Sequence, residues 1–221
     1  MSKFDTCPLQ WKFNYLLKLL QKKGKALLIG SLYHSCLEMY HSGRTCDTVI
    51  KEAKGLSTDD LALVELMLEK YKEYSVAGAV VETEHKFRIN VPGVPVPLIG
   101  YIDRIDEDKG VEYKTSSRDF KDVDTQTIQA KIYSYVLWKK FGKIVPIMFS
   151  VMNKKKAKQK KYKPQELLIT HTVKELEELE GLILRFYKNA SKGPYNPTPG
   201  IHCYWCPWGN KMGDGTCIYS K

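Results

Sequence analysis

Two carboxylates and a lysine lie close together in residues 100–117, whose sequence is GYIDRIDEDKGVEYKTSS. Asp103 comes before a turn-like segment, and Glu112 and Lys114 come after it with one residue between them. Carboxylate oxygens are the ligands that Mg²⁺ and Mn²⁺ prefer, and a neighbouring ammonium group can stabilise charge that develops on an attacked phosphate. These residue types therefore suit metal-assisted phosphodiester hydrolysis. A hairpin of this kind standing alone would be better interpreted as a solvated turn with ordinary charges.

The hairpin pattern predicts that the three side chains share one face. A turn centred at 108–109 sets Asp103 opposite Lys114 in an antiparallel pair. Side chains alternate between faces along a strand, so Glu112 lies on the same face as Lys114, opposite Ile105 and on the face of Asp103. A slip of one residue would move Asp103 to the other face. The predicted convergence is therefore a testable property of the register.

Apolar periodicity, caps and turn signals predict the elements that position these residues. The first half is mostly helical, and a three-stranded meander, a helix, two further strands and a final helix follow. Helices are predicted over 8–21, 31–41, 59–74, 124–141 and 172–189, and strands over 80–90, 98–106, 111–117, 143–153 and 165–171. Thr172 and Glu175 fit a capping box for the last helix. This order predicts an α/β fold with a central mixed sheet flanked by helices.

Length and composition limit the class of protein. A chain of 221 residues, of which 43% are hydrophobic, can bury the core of one globular domain spanning 1–221. We expect a soluble, intracellular (cytoplasmic) protein with no membrane association, because the N-terminus lacks the apolar core of a signal peptide and no run is long enough to span a membrane. No glycine-rich phosphate loop followed by lysine is present in the sequence, so an ATPase is not predicted.

The charge pattern points to a polyanionic partner. The formal net charge is +10, and nucleic acid is favoured over acidic lipid because no basic amphipathic helix stands out. The stretch 153–163, NKKKAKQKKYK, concentrates lysines between two predicted strands, where they could follow phosphates or form a solvated loop. We predict DNA contacts for its seven lysines, which are Lys154, Lys155, Lys156, Lys158, Lys160, Lys161 and Lys163.

Four short motifs, in order, resemble the PD-(D/E)XK nuclease superfamily, in particular its RecB-type branch. The stretch GSLYH at 30–34 resembles the motif GxxxH, and GYID at 100–103 resembles GxxD. The stretch EYK at 112–114 resembles the ExK core, and QAKIY at 129–133 resembles QxxxY. The sequence is similar over nearly its whole length to the iron–sulfur nucleases of CRISPR adaptation and of helicase–nuclease repair complexes. The resemblance implies the restriction-endonuclease-like fold.

The resemblance also implies roles for the matched residues. Asp103 and Glu112 would be ligands of Mg²⁺ or Mn²⁺, with His34 and the carbonyl of Tyr113 as further ligands, and Lys114 would be the electrostatic catalyst. The remaining two catalytic residues would be Gln129 and Tyr133. Their spacing of four places them on one helical face, from which both could reach Lys114 or DNA. Taken singly, His34 is more often an ordinary imidazole, and a Gln/Tyr pair is usually surface.

Cysteines near the two ends form a second candidate site. Three of them lie in the stretch 202–217, HCYWCPWGNKMGDGTC, and one in TCPLQW near the N-terminus. The iron–sulfur branch shows the same arrangement, and it implies a [4Fe–4S] cluster formed by 1–20 together with 202–221, with the ligands Cys7, Cys203, Cys206 and Cys217. Four thiolates also suit structural Zn²⁺, and ligand type does not separate the two. The remaining thiols, Cys36 and Cys46, are predicted to be free.

These features predict a Mg²⁺- or Mn²⁺-dependent deoxyribonuclease, most simply an exonuclease on single-stranded DNA ends in repair, recombination or processing. Two alternatives stay open. One is a non-catalytic, zinc-containing module that binds nucleic acid, and the other is a nuclease subunit active only within a helicase complex. The sequence does not distinguish cleavage polarity, exonuclease from endonuclease, or DNA from RNA.

Overall fold

The structure is a computed structural model that describes residues 1–21, 24–75, 79–211 and 213–219. Its helices and strands alternate much as the sequence predicts. In chain order they are α1 (Ser2–Thr6), α2 (Pro8–Trp11), a π-helix (Lys12–Leu16), α3 (Lys25–His41), α4 (Asp47–Lys51), α5 (Thr58–Tyr74), β1 (Val80–Ile89), β2 (Leu98–Asp106), β3 (Gly110–Ser116), α6 (Asp122–Thr125), α7 (Ile128–Phe141), β4 (Ile147–Asn153), β5 (Gln165–Ile169), α8 (Val173–Lys192) and a 3₁₀ turn (Ile201–Trp205).

The five strands form one mixed sheet in the order β1-β2-β3-β4-β5. The pairs β1–β2, β2–β3 and β4–β5 are antiparallel, which confirms the predicted meander, and β3–β4 is parallel. Every residue of β4 is buried. A strand that is buried along its whole length is expected where both faces of a sheet are covered.

Two apolar cores cover the opposite faces of the sheet. Alternate residues of β3 and β4, including Val111 and Met148, join one core with α3 and α5. Their neighbours Ile147 and Phe149 join a second core with α7. Because side chains alternate along a strand, the two memberships place these helices on different faces. The predicted α/β class with a mixed sheet flanked by helices is confirmed.

The predicted helix over 8–21 is wrong in its second half. Regular α-helix ends at Trp11, a π-helical turn follows, and residues 17–21 are not helical. Neither helical segment has a buried residue, and Leu20 is 98% exposed. Helices in proteins gain most of their stability from packing of an apolar face, so an apolar periodicity that finds no partner does not extend this helix. The predicted capping box at Thr172 and Glu175 is confirmed by reciprocal hydrogen bonds.

The chain divides into two compact units. The sheet unit comprises Gly24–Asn90 and Val96–Leu179, and the terminal unit comprises Met1–Lys23, Val91–Pro95 and Glu180–Lys221. Within the terminal unit, Trp11 stacks on Tyr195 at 5.9 Å and meets Phe186 edge-on at 6.0 Å. The assignment of 1–221 to a single domain stays a prediction. No helix in the described parts of the chain has the length and apolarity to cross a bilayer.

Candidate functional site

The sheet unit brings together side chains from four elements at one end of the β2–β3 pair. The residues are His34 on α3, Asp103 on β2, Glu112 and Lys114 on β3, and Gln129 and Tyr133 on α7. The contacts below connect each of them to at least one other member. The structure therefore assembles all six catalytic or side-chain ligand residues predicted from the sequence.

Two glycines of the motifs allow close approach of neighbouring elements. A Cβ atom on Gly30 would lie 3.2 Å from the hydroxyl oxygen of Thr115 on β3, so α3 passes close to β3 one turn before His34. A Cβ atom on Gly100 would lie 2.5 Å from the ring of Phe87 on the neighbouring strand. Glycine at both positions follows from packing, since a side chain would displace the elements that carry His34 and Asp103.

The observed register corrects one prediction. β2 and β3 pair Arg104 with Val111 and Ile105 with Gly110, so the turn is centred at 107–108, one residue closer to the N-terminus than predicted. Asp103 is therefore aligned with Glu112, and the prediction that it lies opposite Lys114 is wrong. The residue aligned with Asp103 thus changes by two positions along β3, and a change by an even number keeps the same side chains on the same face. The convergence of the carboxylates and the lysine on one face consequently survives the correction.

Asp103 replaces a backbone partner where the two strands separate. Its Oδ2 atom accepts a hydrogen bond of 2.7 Å from the backbone N–H of Tyr113. This bond fixes the carboxylate next to the strand that carries Glu112 and Lys114. It also ties the peptide between Glu112 and Tyr113 to β2, and this bond holds Asp103 and Glu112 next to each other on their two strands.

Lys114 is held by two acceptors. Its ammonium group forms an ion pair with Oε1 of Glu112 and donates a hydrogen bond of 2.9 Å to Oε1 of Gln129. The amide nitrogen of Gln129 in turn donates to the hydroxyl of Tyr133 at 2.8 Å. Burial, followed by the negative charge of Glu112, raises the pKa of Tyr133 well above its usual value. Tyr133 therefore stays protonated and orients the amide that orients Lys114.

Glu112 is the most buried charged group of the site, with 3% exposure. Its Oε2 atom has no hydrogen-bond partner among the residues that the structure describes. Burial, followed by repulsion from Asp103, raises the pKa of the Glu112 carboxyl to about 7, against the opposing effect of Lys114. A divalent cation at Oε2 would supply the missing partner and favour the ionised form.

His34 contributes a nitrogen beside the carboxylates. Its Nδ1 atom lies 3.5 Å from Oδ2 of Asp103. Burial lowers the pKa of His34, but the hydrogen bond and the charge of Asp103, together with Glu112, outweigh burial and raise it overall. An imidazole in this position can either pair with Asp103 or, when neutral, ligate a cation.

Two residues of the cleft were not predicted as part of the site. An open cleft of about 660 Å³ is lined by His34, Asp103 and Lys114, and also by Glu84 and Lys154. Lys154 was predicted to contact DNA, but nothing in the sequence places it beside Asp103. Glu84 was missed altogether, because its position depends on the pairing of β1 with β2.

Glu84 combines an unusual backbone with an unusual environment. Its φ is 48°, in the left-handed region that costs a non-glycine residue about 1 kcal/mol or more. Burial, followed by repulsion from Asp103 and Glu38, raises the pKa of its carboxyl. Glu84 therefore adds a second carboxylate to the lining of the cleft, from the strand that pairs with the strand of Asp103.

A buried polar network anchors Tyr113 from the core formed with α3 and α5. The Tyr113 hydroxyl lies 3.2 Å from that of Tyr71, which accepts a hydrogen bond of 2.6 Å from Arg104. Arg104 also forms an ion pair of 2.8 Å with Asp106, and both side chains are at most 1% exposed. His41 stacks on the ring of Tyr113. The contacts of Arg104 with His41 on α3 and Tyr71 on α5 have no signal in the sequence.

The lysine-rich connection between β4 and β5 is a series of turns with a buried anchor. Tyr162 is 8% exposed, and its hydroxyl accepts a hydrogen bond of 2.7 Å from the backbone N–H of Asn153. Lys156 forms an ion pair with Asp119. The predicted connection of two strands is confirmed, whereas the DNA contacts stay a prediction. The lysines that line open clefts are Lys154, Lys155 and Lys158.

The four cysteines predicted as cluster ligands line one small pocket of the terminal unit. The pocket also includes apolar residues such as Leu9 and Phe13. Gln10 donates a hydrogen bond of 3.7 Å to the sulfur of Cys206. Burial raises the pKa of Cys206, and the nearby thiols of Cys217, Cys203 and Cys7 add to the increase. Cys36 and Cys46 do not line this pocket, and all six cysteines are free.

Neither the carboxylate site nor the cysteine pocket has its side chains in the geometry of a bound metal ion. Within the described ranges, no set of three or more His, Cys, Asp or Glu side chains has the geometry to hold a metal ion. The thiol pocket nevertheless has the right donor chemistry for a cluster or for zinc. The unpartnered oxygen of Glu112 has the right chemistry for Mg²⁺ or Mn²⁺.

The fold and site together define an α/β protein with two carboxylates and a lysine at the separation of two antiparallel strands. Residues 1–210 match the PD-(D/E)XK nuclease superfamily. The chain belongs to this superfamily, and that membership supports a hydrolytic nuclease. The match does not assign the chain to the iron–sulfur, RecB-type branch of the superfamily.

One solved structure agrees with the fold. A crystal structure of a Eubacterium rectale protein described as a "Putative exonuclease" aligns over 86% of this chain and 76% of its own, with a TM-score of 0.57 and 16% identity. A second crystal structure, that of SSO0001, aligns over 97% of this chain and 96% of its own, with a TM-score of 0.41 and 15% identity. No curated protein matches the chain.

Proposed function

We propose that the protein is a metal-dependent deoxyribonuclease that removes nucleotides from single-stranded DNA ends. The observation that carries the proposal is the buried, unpartnered oxygen of Glu112, set beside Asp103 and in an ion pair with Lys114. A buried carboxylate oxygen without a hydrogen-bond partner is costly in a folded protein. In a member of the nuclease superfamily, a bound divalent cation would supply the missing partner and offset this cost.

Asp103 and Glu112 would hold Mg²⁺ or Mn²⁺, with His34 and the carbonyl of Tyr113 completing the set. The bound cation would polarise the scissile phosphate and make water more acidic. The catalytic residues predicted for this site are Asp103, Glu112, Lys114, Gln129 and Tyr133.

The protein's own residues would orient and stabilise the reacting phosphate. Lys114, held by Glu112 and Gln129, would place a positive charge next to the oxygen that gains charge during attack. Tyr133 would keep Gln129 in the orientation that accepts from Lys114. Tyr113 would hold Asp103 through its backbone N–H, so that binding requires little rearrangement.

Charge and cleft composition support a nucleic acid as the substrate, and the choice of single-stranded DNA comes from the resemblance to the iron–sulfur nucleases. Lys154 faces the same open cleft as Lys114 and Asp103, where it can contact a phosphate next to the one being cleaved. The preference for free ends comes from the resemblance to iron–sulfur exonucleases. The same resemblance supports a role in repair or recombination and a helicase as partner.

We further propose that Cys7, Cys203, Cys206 and Cys217 hold a [4Fe–4S] cluster. Their convergence on one apolar pocket supports a shared site, and hydrogen bonds to sulfur such as that from Gln10 are typical of cluster environments. Zinc is the alternative for the same four thiolates. Either group would be structural, because Mg²⁺ chemistry requires none of these residues.

The test is degradation of 5′- and 3′-labelled single strands by the pure protein, with Mg²⁺ or Mn²⁺ and with EDTA. We expect metal-dependent release of labelled nucleotides and a large loss of cleavage, with DNA binding retained, in Glu112→Gln. Glu107→Gln is the matched control, because it makes the same change at an exposed position of the same hairpin. Near wild-type cleavage by Glu112→Gln under saturating Mg²⁺ would refute the metal assignment.

The assay also separates the alternatives. Binding without cleavage in any divalent metal would favour the non-catalytic nucleic-acid-binding module. Cleavage that appears only after a helicase is added would favour the subunit of a larger complex.

A further inference from the structure

The positive charge of the chain is concentrated on the terminal unit. This unit contains ten Lys and Arg residues but three Asp and Glu residues, a formal charge of +7, whereas the larger sheet unit has 25 basic and 22 acidic residues, a formal charge of +3. A compact region of such charge attracts polyanions. The unit that contains the cysteine pocket is therefore the more basic part of the protein.

Two aromatic residues of this unit are displayed to solvent. Tyr204 is 51% exposed and Trp205 is 61% exposed, and their rings lie 5.2 Å apart at an interplanar angle of 70°. Both belong to the 3₁₀ turn Ile201–Trp205, next to the cysteines Cys203 and Cys206. Exposed apolar groups that adjoin one another form a patch, and such patches mark sites of recognition more often than single exposed residues do.

A second tryptophan in the same segment behaves in the opposite way. Trp208 is 1% exposed, and its ring packs edge-on against Phe13 at 5.3 Å. The sequence does not separate these two tryptophans, because both flank the Cys-Pro dipeptide 206–207. The structure separates them into one core residue and one surface residue.

We infer that Tyr204 and Trp205 form a stacking site for unpaired bases of a single-stranded nucleic acid. Each base presents a π-face that an aromatic ring can cover regardless of sequence, and a basic surface holds the backbone at the same time. Stacking on the neighbouring base pairs covers these faces in a duplex, so the site selects single strands. This inference rests on the proposed nuclease function, which it deepens by assigning a substrate contact outside the catalytic cleft.

A protein partner is the less favoured occupant. Patches that bind proteins are usually depleted in lysine, whereas the terminal unit is rich in it. Exposed aromatic rings on a unit with a formal charge of +7 instead match the composition of single-strand binding grooves.

The experiment measures binding of a fluorescein-labelled oligo-dT and of an abasic strand of equal length by the full chain, with Ca²⁺ in place of Mg²⁺ to suppress cleavage. We expect Trp205→Ala to weaken binding of oligo-dT about tenfold, with an unchanged slope of log affinity against log salt, because phosphate contacts are retained. Binding of the abasic strand should not change. Trp205→Phe should recover most of the affinity.

Ile201→Ala is the matched control. Ile201 is 83% exposed in the same 3₁₀ turn but has no π-face, and we expect this variant to bind oligo-dT like the wild type. Melting temperature and metal content of each variant establish that it is folded, and Tyr204→Ala provides a second variant should Trp205→Ala not fold.

The outcomes separate this inference from the proposed function. Unchanged oligo-dT binding by folded Trp205→Ala and Tyr204→Ala would overturn the stacking site while wild-type cleavage still upheld the nuclease. Equal weakening on the abasic strand would also overturn it, as would a change in self-association without a change in oligo-dT affinity. A wild type that binds oligo-dT through Trp205 but cleaves nothing would uphold the stacking site and overturn the nuclease.

Discussion

Glu112 links the stability of the protein to pH. The pKa of its carboxyl is raised to about 7 in the folded state by burial, followed by Asp103, against an ordinary value of about 4.3 in an unfolded chain. A raised carboxyl pKa favours the folded state at low pH. This contribution is fully present below the unfolded pKa and is lost as pH rises through about 7.

We therefore expect the wild type to lose about 2 to 3 kcal/mol of unfolding free energy between pH 5 and pH 8 relative to Glu112→Gln. The measurement is chemical denaturation of both proteins at the two pH values without divalent cations. Glu107→Gln should follow the wild type. Parallel pH profiles for wild type and Glu112→Gln would show that the Glu112 carboxyl is ionised normally in the folded protein.

Lys114 should matter mainly for turnover. Its ammonium group is held by Glu112 and Gln129, in a position where it acts on charge that develops as the phosphate is attacked. We expect Lys114→Ala to lower kcat by two to three orders of magnitude, that is about 10²–10³-fold, with a small change in the affinity for DNA. Lys109→Ala, in the turn of the same hairpin, should keep its activity. A defect confined to KM would argue for a binding role instead.

At the scale of elements, the site could be predicted where it depends on the regular repeat of side-chain directions, which is two residues in a strand and about 3.6 in a helix. The common face of Asp103, Glu112 and Lys114 follows from period two, and the partnership of Gln129 with Tyr133 follows from a spacing of four. Both hold in the structure. The motif glycines also have a physical basis, because Gly30 and Gly100 permit close packing.

The exact register of β2 and β3 was not predictable, because Gly110 could be interpreted either as a turn residue or as a strand residue. Gly110 suggests a turn, yet it begins β3, where a Cβ atom would lie 2.8 Å from Leu137 and 2.9 Å from Ile147. The turn therefore closes earlier, with a hydrogen bond from Asp106 to the carbonyl of Lys109. Contacts between elements distant in sequence, such as Glu84 beside Asp103, have no periodic signal at all.

The network on β2 should be the most sensitive polar feature of the sheet. Arg104 and Asp106 form an ion pair with at most 1% side-chain exposure. Neutralising one partner leaves a buried charge uncompensated, which costs about 3–5 kcal/mol. We expect Asp106→Asn to lose stability of that order in chemical denaturation.

Asp108→Asn is the control for Asp106→Asn. The side chain of Asp108 is 73% exposed where it pairs with Lys109, and its change should stay within about 0.5 kcal/mol. Equal denaturation midpoints for the two variants would mean that the buried pair adds no stability over its neutralised form.

At the scale of the whole molecule, the excess of positive charge should control affinity for DNA. We expect combined replacement of Lys154, Lys155 and Lys158 by alanine to flatten the slope of log affinity against log salt by about 2, at about 0.7 per lost phosphate contact on single strands. These three lysines line open clefts. Replacement of the exposed Lys51, Lys54 and Lys143 removes the same charge and should change the slope less. Equal slopes for the two triple variants would mean that the lysine-rich connection between β4 and β5 is an ordinary solvated surface that does not contact DNA.

The cysteine pocket should couple metal content to the stability of the chain. Anaerobically purified protein is expected to be brown and to contain about four irons per chain, and it should bleach in oxygen. Cys7→Ser should lower metal content and melting temperature together, since metal binding to thiolates contributes to folding. Cys46→Ser, which lies outside the pocket, should change neither.

Other outcomes of the metal analysis are equally informative. Colourless protein with one zinc per chain would keep the site and reject iron. Full metal content in Cys7→Ser would point to His202, which also lines the pocket, as a ligand in its place.

The buried anchor of the lysine-rich connection has a consequence for proteolysis. Trypsin cleaves after lysine, and it needs a segment that can leave the surface and extend into the protease. The connection between β4 and β5 offers seven lysines, but Tyr162 ties its backbone to Asn153 in the core. Its density of trypsin sites therefore does not make it a point of easy cleavage, and a lysine-rich sequence can survive digestion as long as one tyrosine remains buried.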